Sequence, residues 1–218
     1  MRLPPFLKFL EPKLKGAQPD PKTEGMRFQG HVKIERQVAG GPLELVHDSK
    51  NFIVDAGITG VRDILVGVAG GGFTGSVFRM AVGDGGVPPG ELFNPKIPDA
   101  TWPARTGLFH EVIRQDISVF ETPTTSSMRF VGSFNSLDTD ESSFSLADRV
   151  INEASLILGD GVLTVGGDKK QINSTLGAPT DTVDLDEVMF SMRTFKSASF
   201  DPTEDVTITV TWTITVAS

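Results

Sequence analysis

The chain has 218 residues, 39% of them hydrophobic and 22% charged, ordinary proportions for a globular protein with room for one β-sandwich or at most two small domains. It contains no cysteine, which excludes disulfides and thiolate metal sites. Its 20 basic and 28 acidic residues give a net charge of −8, a poor balance for gripping nucleic acid, where phosphate neutralisation needs clustered Lys and Arg.

Residues 1–25 differ from the rest. Pro4, Pro5, Pro12, Pro19 and Pro21 alternate with Lys8, Lys13, Lys15 and Lys22, and proline removes backbone donors and fixes φ, favouring extended chain over a packed element. Prolines and Lys8 interrupt the first ten residues, so they do not read as a secretory leader. The segment also carries Phe6, Leu7, Phe9, Leu10 and Leu14, more apolar surface than a solvated tail needs. It reads either as an arm that docks on a neighbouring subunit, with Phe6, Phe9 and Leu10 as contacts, or as a frayed terminus.

Residues 26–218 read as a single β-rich domain. Phe28–Val38 alternates like a strand, and Gly40–Gly41–Pro42 ends it; Leu43–Val46 and Asn51–Val54 suggest two more strands. Ala56–Val66 predicts the one helix, with Asp55 as N-cap and Ile58, Val61, Ile64, Leu65 and Val68 at helical spacing. Gly57 and Gly60 count against it, each costing about 1 kcal/mol relative to alanine, and Gly70–Gly72 stops it. Val77–Val82 is a short strand closed by Gly83–Asp84–Gly85–Gly86, read as a hairpin turn. The proline-rich loop that follows, to about Arg105, is of a length usually reserved for interfaces or function. Its Phe93 and Trp102 would anchor an interface, or else pack the loop itself. Further strands are expected at Leu108–Phe120, Met128–Phe134, Val150–Leu158 and Val188–Phe195. The last is the clearest: Val206, Ile208, Val210, Trp212, Ile214 and Val216 share one face and five threonines the other, the mark of a half-buried antiparallel strand. Many strands with one helix predict a mainly β fold, an antiparallel, jelly-roll-like sandwich. No run of about 18 apolar residues exists, so no membrane span is expected.

No catalytic pattern emerges. His31, His47 and His110 lie in separate segments without metal-ligand spacing, and no GxSxG elbow is present. The glycine clusters lack the Lys–Ser/Thr pair of a phosphate loop. Asp138, Asp140 and Glu141 form an acidic cluster, and Asp160 lies by a turn, but no calcium-loop pattern accompanies them. Glu111 and Arg114, three apart on one strand, should point to opposite faces. Glu153 interrupts the apolar run Ile151–Leu156, and a carboxylate buried there requires a partner, a structural ion pair rather than an acid–base role. No cofactor or metal is expected.

Several segments, in order, resemble modules of bacteriophage tail-fibre and tail-collar proteins: Asn51–Phe–Ile–Val–Asp–Ala–Gly57, Met80–Ala–Val–Gly–Asp–Gly85, Gly107–Leu–Phe–His–Glu–Val–Ile–Arg114, Ile151–Asn–Glu–Ala–Ser–Leu156 and the closing threonine-rich strand. The resemblance spans roughly residues 50–217. It implies a non-enzymatic virion subunit, assembled in the host cytoplasm, that binds other virion proteins at tail, collar or baseplate, and a homo-oligomer, with a trimer favoured. No fibre shaft or receptor-binding tip follows the module, which favours an adaptor, collar or capsid-decoration role over host recognition. A carbohydrate-binding or depolymerising module is the alternative of another class. The absence of tyrosine and the presence of only two tryptophans weaken a sugar-stacking platform.

Overall fold

The computed structural model describes residues 27–66, 77–105, 107–136, 146, 149–159, 170–172, 188–200 and 204–217. The arm with Phe6, Phe9 and Leu10, the glycines at 70–72, the acidic cluster at 138–141 and Asp160 lie outside them. The strand with the strictest alternation, β11 (Val206–Ala217), organises the first sheet. It pairs antiparallel with β1 (Arg27–Val38) from Arg27 opposite Ala217 to Val38 opposite Val206, and with β7 (Ser127–Asn135) on its other side. With β2 (Glu44–Lys50) and β6 (Val119–Thr124) at the edges, sheet I has the order β2-β1-β11-β7-β6. Sheet II has the order β3-β10-β8-β4-β5-β9, from β3 (Phe52–Ile53), β10 (Val188–Ser199), β8 (Val150–Gly159), β4 (Val77–Gly83), β5 (Glu111–Asp116) and β9 (Lys170–Ile172).

The chain is therefore mainly β, two antiparallel, unclosed sheets in a sandwich-like arrangement, as its alternation predicts. Val206, Ile208, Val210, Trp212 and Ile214 of β11 are buried against Met80, Val82, Ala154 and Leu156 of sheet II, with Phe130 and Phe134 of β7 in the same core. The expected single strand Leu108–Phe120 is in fact two. Glu111–Asp116 belongs to sheet II and Val119–Thr124 to sheet I, so the chain crosses between sheets at Ile117 and Ser118. A run of strand-forming residues shows extension but not a change of partner.

The helix α1 (Asp55–Val66) forms where expected. Its first turn is closed by Ile58 N–H donating to Val54 O at 3.2 Å, so Asp55 lies inside the turn rather than capping it, its carboxylate placed at the positive end of the helix. Of the expected apolar face, Val61 packs against the core and Ile58 points outward; the side chains of Ile64, Leu65 and Val68 lie outside the described residues. Ile58 is 49% exposed, whereas Gly57 and Gly60 are buried. A Cβ at Gly57 would lie 2.4 Å from Phe190 O and 2.5 Å from its Cα. The glycine that argued against a helix is what lets the helix rest directly on β10.

The start of α1 and the 84–110 segment make a third layer. Val54, Trp102 and Leu108 join Ala81, Ile157, Met189 and Met192 on the outer face of sheet II, so β5 and residues Ile151–Gly159 of β8 are buried throughout.

Candidate functional site

Residues 84–110 leave β4 and return as β5. Gly83–Asp84–Gly85–Gly86 is thus not a tight hairpin turn but the opening of a long excursion across sheet II. The excursion is held at many points. Lys96 N–H donates to Gly86 O (2.8 Å), Glu91 N–H to Pro88 O (3.1 Å), and Ser197 N–H to Leu92 O (3.1 Å). The Thr194 hydroxyl donates to Lys96 O at 2.5 Å and Lys96 Nζ to Gly85 O at 2.6 Å. Proline cannot join such a network as a donor, so the non-proline residues between carry it.

Beneath this segment lies Glu153, which is fully buried. The cation expected as its partner is replaced by backbone. Its Oε1 accepts from His110 N–H (2.7 Å) and Gly85 N–H (3.1 Å), and its Oε2 from Phe109 N–H (2.8 Å). Gly85 packs too closely for a side chain, since a Cβ there would lie 2.6 Å from His110 N. Burial pushes the Glu153 carboxyl up to about 7, against the three amides and the Arg105 charge, which favour its ionised form. Asn152 next to it accepts from Gly86 N–H at 2.5 Å, and His110 Nδ1 pairs with the Asp84 carboxylate.

Above the glutamate, Phe109 is the hub of the cover. Lys96 Nζ lies 3.8 Å and Arg105 Cζ 3.7 Å from its ring centroid, cation–π contacts in a partly desolvated setting. Burial lowers the pKa of both cations, while the Glu153 charge raises it again. Phe109 also meets Trp102 edge-on at 5.8 Å, and Trp102 meets Phe52 at 5.9 Å. Trp102 is therefore not a surface anchor: it is 1% exposed, fixed in a 3-10 turn (Trp102–Ala104) as the core of the third layer. Phe93 is 71% exposed, as an anchor would be, and Leu92 and Ile97 of the same loop are 53% and 81% exposed. Neither was singled out from the sequence; the available signal was their place among prolines in a long loop. A cleft of about 450 Å³ runs beside the loop, lined by Asp84, Pro88, Leu92, Lys96, Phe109 and Asn152 among others.

Farther along the same face of sheet II, Glu111 and Arg114 form a bidentate pair at 2.8 and 2.9 Å, both buried. The expectation of opposite faces fails because of a β-bulge. Val82 pairs with Ile113 but Gly83 with Glu111, so Val112 is an extra residue and Glu111 turns to the side of Arg114. Arg79 and Asp116 pair one step on, at 3.2 Å.

His31 and His47 lie on the paired strands β1 and β2 of sheet I, and His110 immediately precedes β5 of sheet II. His31 contacts Asp48 at 2.7 Å on the edge of sheet I. His47 receives Arg193 Nε–H at 3.3 Å, and its pKa is lowered to about 4, first by burial and then by the Arg193 charge. Among the described residues no group of three His, Asp or Glu side chains is arranged to hold a metal ion, and no helix is long and apolar enough to cross a membrane. No protein-family model, curated protein or solved structure matches the chain.

Proposed function

We propose that the chain is a non-enzymatic subunit of a bacteriophage particle, a tail, collar or baseplate adaptor that binds other virion proteins through the 84–105 loop. One observation carries this reading: Leu92, Phe93 and Ile97 are exposed on a loop whose backbone is bonded to sheet II and to a buried carboxylate. Apolar side chains presented on a pinned backbone lose little conformational freedom on docking, which favours binding.

The pieces of sequence that resemble tail modules support the same reading. Gly85, Phe109–His110 and Glu153 come from three of those segments and meet in one hydrogen-bond cluster, and Gly57 from a fourth seats α1 on β10. In this reading the motif residues build the platform rather than react. Glu153, the residue with the most perturbed carboxyl in the cluster, is closed off from solvent. The ring of Phe109, the aromatic lining the adjacent cleft, is already engaged by Lys96 and Arg105, which disfavours sugar stacking there.

The deciding experiment is mass spectrometry of purified particles separated into capsids and tails. The adaptor reading expects the chain in tails at a low multiple of three or six. High copy number on capsids would convert it to a decoration protein, and absence from both fractions would overturn the structural reading. Replacing Phe93 and Ile97 together by serine should leave the melting temperature unchanged and reduce incorporation at least tenfold.

A further inference from the structure

A second cleft lies at the start of β1, where its neighbour in sheet I ends. β2 runs beside β1 only as far as Lys50, opposite His31. The chain then turns into β3 at Asn51, whose N–H donates to Gly30 O at 3.0 Å and whose side chain is shut against Gly30. β1 itself continues to Arg27 with β11 on one side only. Backbone groups alternate in direction along an antiparallel strand, so Phe28, like Gly30, turns its N–H and C=O away from β11. Among the described residues no strand meets those of Phe28. A cleft of about 390 Å³ opens there, lined by Phe28, Phe52 and Ile53 among others. The Phe28 ring is held edge-on against Phe190 at 6.2 Å. In a chain of net charge −8, the ionisable residues that line this cleft, His31 and Lys50, are both basic. His31 contacts Asp48, whereas no carboxylate among the described residues pairs with Lys50.

We propose that this end of sheet I is a peptide-binding site, which takes an extended segment of a partner protein, acidic and apolar in alternation, as an added strand beside β1. Phe28 offers one backbone donor and one acceptor on the same side, the pair that an antiparallel neighbour uses. The side chains of the added strand then alternate between two environments. The residue opposite Phe28 shares its side with Phe52 and Ile53 of the cleft wall, which suits an aliphatic side chain. The next residue shares the side of His31 and Lys50, which stand opposite each other across β1 and β2, and this suits aspartate or glutamate. The same two cations repel a basic segment, so charge selects the partner as well as attracting it. The site is separate from the 84–105 loop and does not depend on the reading of that loop.

The test uses the full-length chain, labelled with nitrogen-15, and capped synthetic hexapeptides. One alternates aspartate and leucine, a second alternates lysine and leucine, and a third is the aspartate peptide N-methylated at its leucines. The aspartate peptide should shift the Phe28 and Gly30 amide signals in NMR spectra and leave those of the 84–105 loop in place. Lys50→Glu, a change at an exposed side chain, should weaken that peptide at least tenfold and turn the preference toward the lysine peptide. N-methylation removes the donor that faces Phe28 O and should weaken binding to a similar degree. No binding of the aspartate peptide, equal binding of the lysine peptide, or shifts centred away from β1 would each overturn the assignment. Undiminished binding of the N-methylated peptide would overturn it too, because the Phe28 backbone would then take no part in the contact.

Discussion

Sheet I and sheet II are built from the same kinds of residue yet follow different rules. In sheet I the side chains of β11 alternate strictly from Val206 to Thr215, with valine, isoleucine and tryptophan buried and threonine partly exposed. One face meets the core and the other meets water, so a period of two is enough to place every residue. Sheet II is covered twice, by sheet I on one side and by α1 and the 84–110 loop on the other. Its central strand β8 is buried from Ile151 to Gly159, and its covered face carries Glu153, Glu111, Arg114 and Asp116, all at most 6% exposed. Burial on one side needs only a pattern, but burial on both sides requires that every charge find a partner.

This contrast can be broken experimentally, starting where the effect is largest. Trp212 sits between the sheets and Trp102 in the outer layer, both at most 1% exposed. Trp212→Ala should cost about 3–5 kcal/mol of global stability, read from the denaturation midpoint. Trp102→Ala should act chiefly on the outer layer, so hydrogen exchange at Phe109 and His110 amides should quicken before the β1 and β11 amides do. Equal acceleration throughout would show that the two layers unfold as one.

The pH dependence sharpens the same contrast. The Glu153 carboxyl holds its proton up to about pH 7 in the folded chain but only to the ordinary 4.5 when unfolded. Its contribution is therefore fully present below pH 4.5 and lost as pH rises to about 7, a change of roughly 3 kcal/mol. His47 acts in the opposite sense: with its pKa lowered from 6.5 to about 4, its contribution is present above pH 6.5 and lost as pH falls to about 4. Glu153→Gln should remove the decline between pH 4.5 and 7 and leave the His47 rise, measurable as unfolding midpoints across that range. The variant should also be less stable at pH 5, because the glutamine amide would turn a donor toward a backbone N–H.

Smaller effects belong to the helix seat and the sheet surface. Gly57→Ala should cost about 1–3 kcal/mol, since its methyl meets Phe190 backbone rather than a yielding side chain. A neutral result in thermal denaturation would mean that α1 can slide on β10. Glu121→Ala removes the partner of Arg129 on the exposed side of sheet I, where both side chains are over 40% accessible. Its cost should stay within about 0.5 kcal/mol.

How far the sequence could be read follows from that contrast. Strands β1, β7, β8, β10 and β11 and the helix were legible because periodicity and local propensity are properties of neighbouring residues. The division of Leu108–Phe120 between two sheets was not, because pairing partners lie far along the chain. The pair Glu111–Arg114 was hidden by the single extra residue of a bulge. Trp102 looked like a surface anchor because a proline-rich loop carries no sign of what lies under it. Glu153 stood out as a charge in an apolar run, but its partners are backbone N–H groups, and every residue type has one to give.

By itself the sequence determined that this protein is a β-rich chain without cysteine chemistry, with one short helix after Val54 and a threonine-faced closing strand. Only the tertiary structure decided that a third layer covers sheet II, that this layer is latched to a buried glutamate, and that Leu92, Phe93 and Ile97 face outward above it. The physical reason is range. Alternation and helical spacing are fixed by covalent geometry over a few residues, whereas the satisfaction of a buried charge depends on groups that meet only after the sheets have packed.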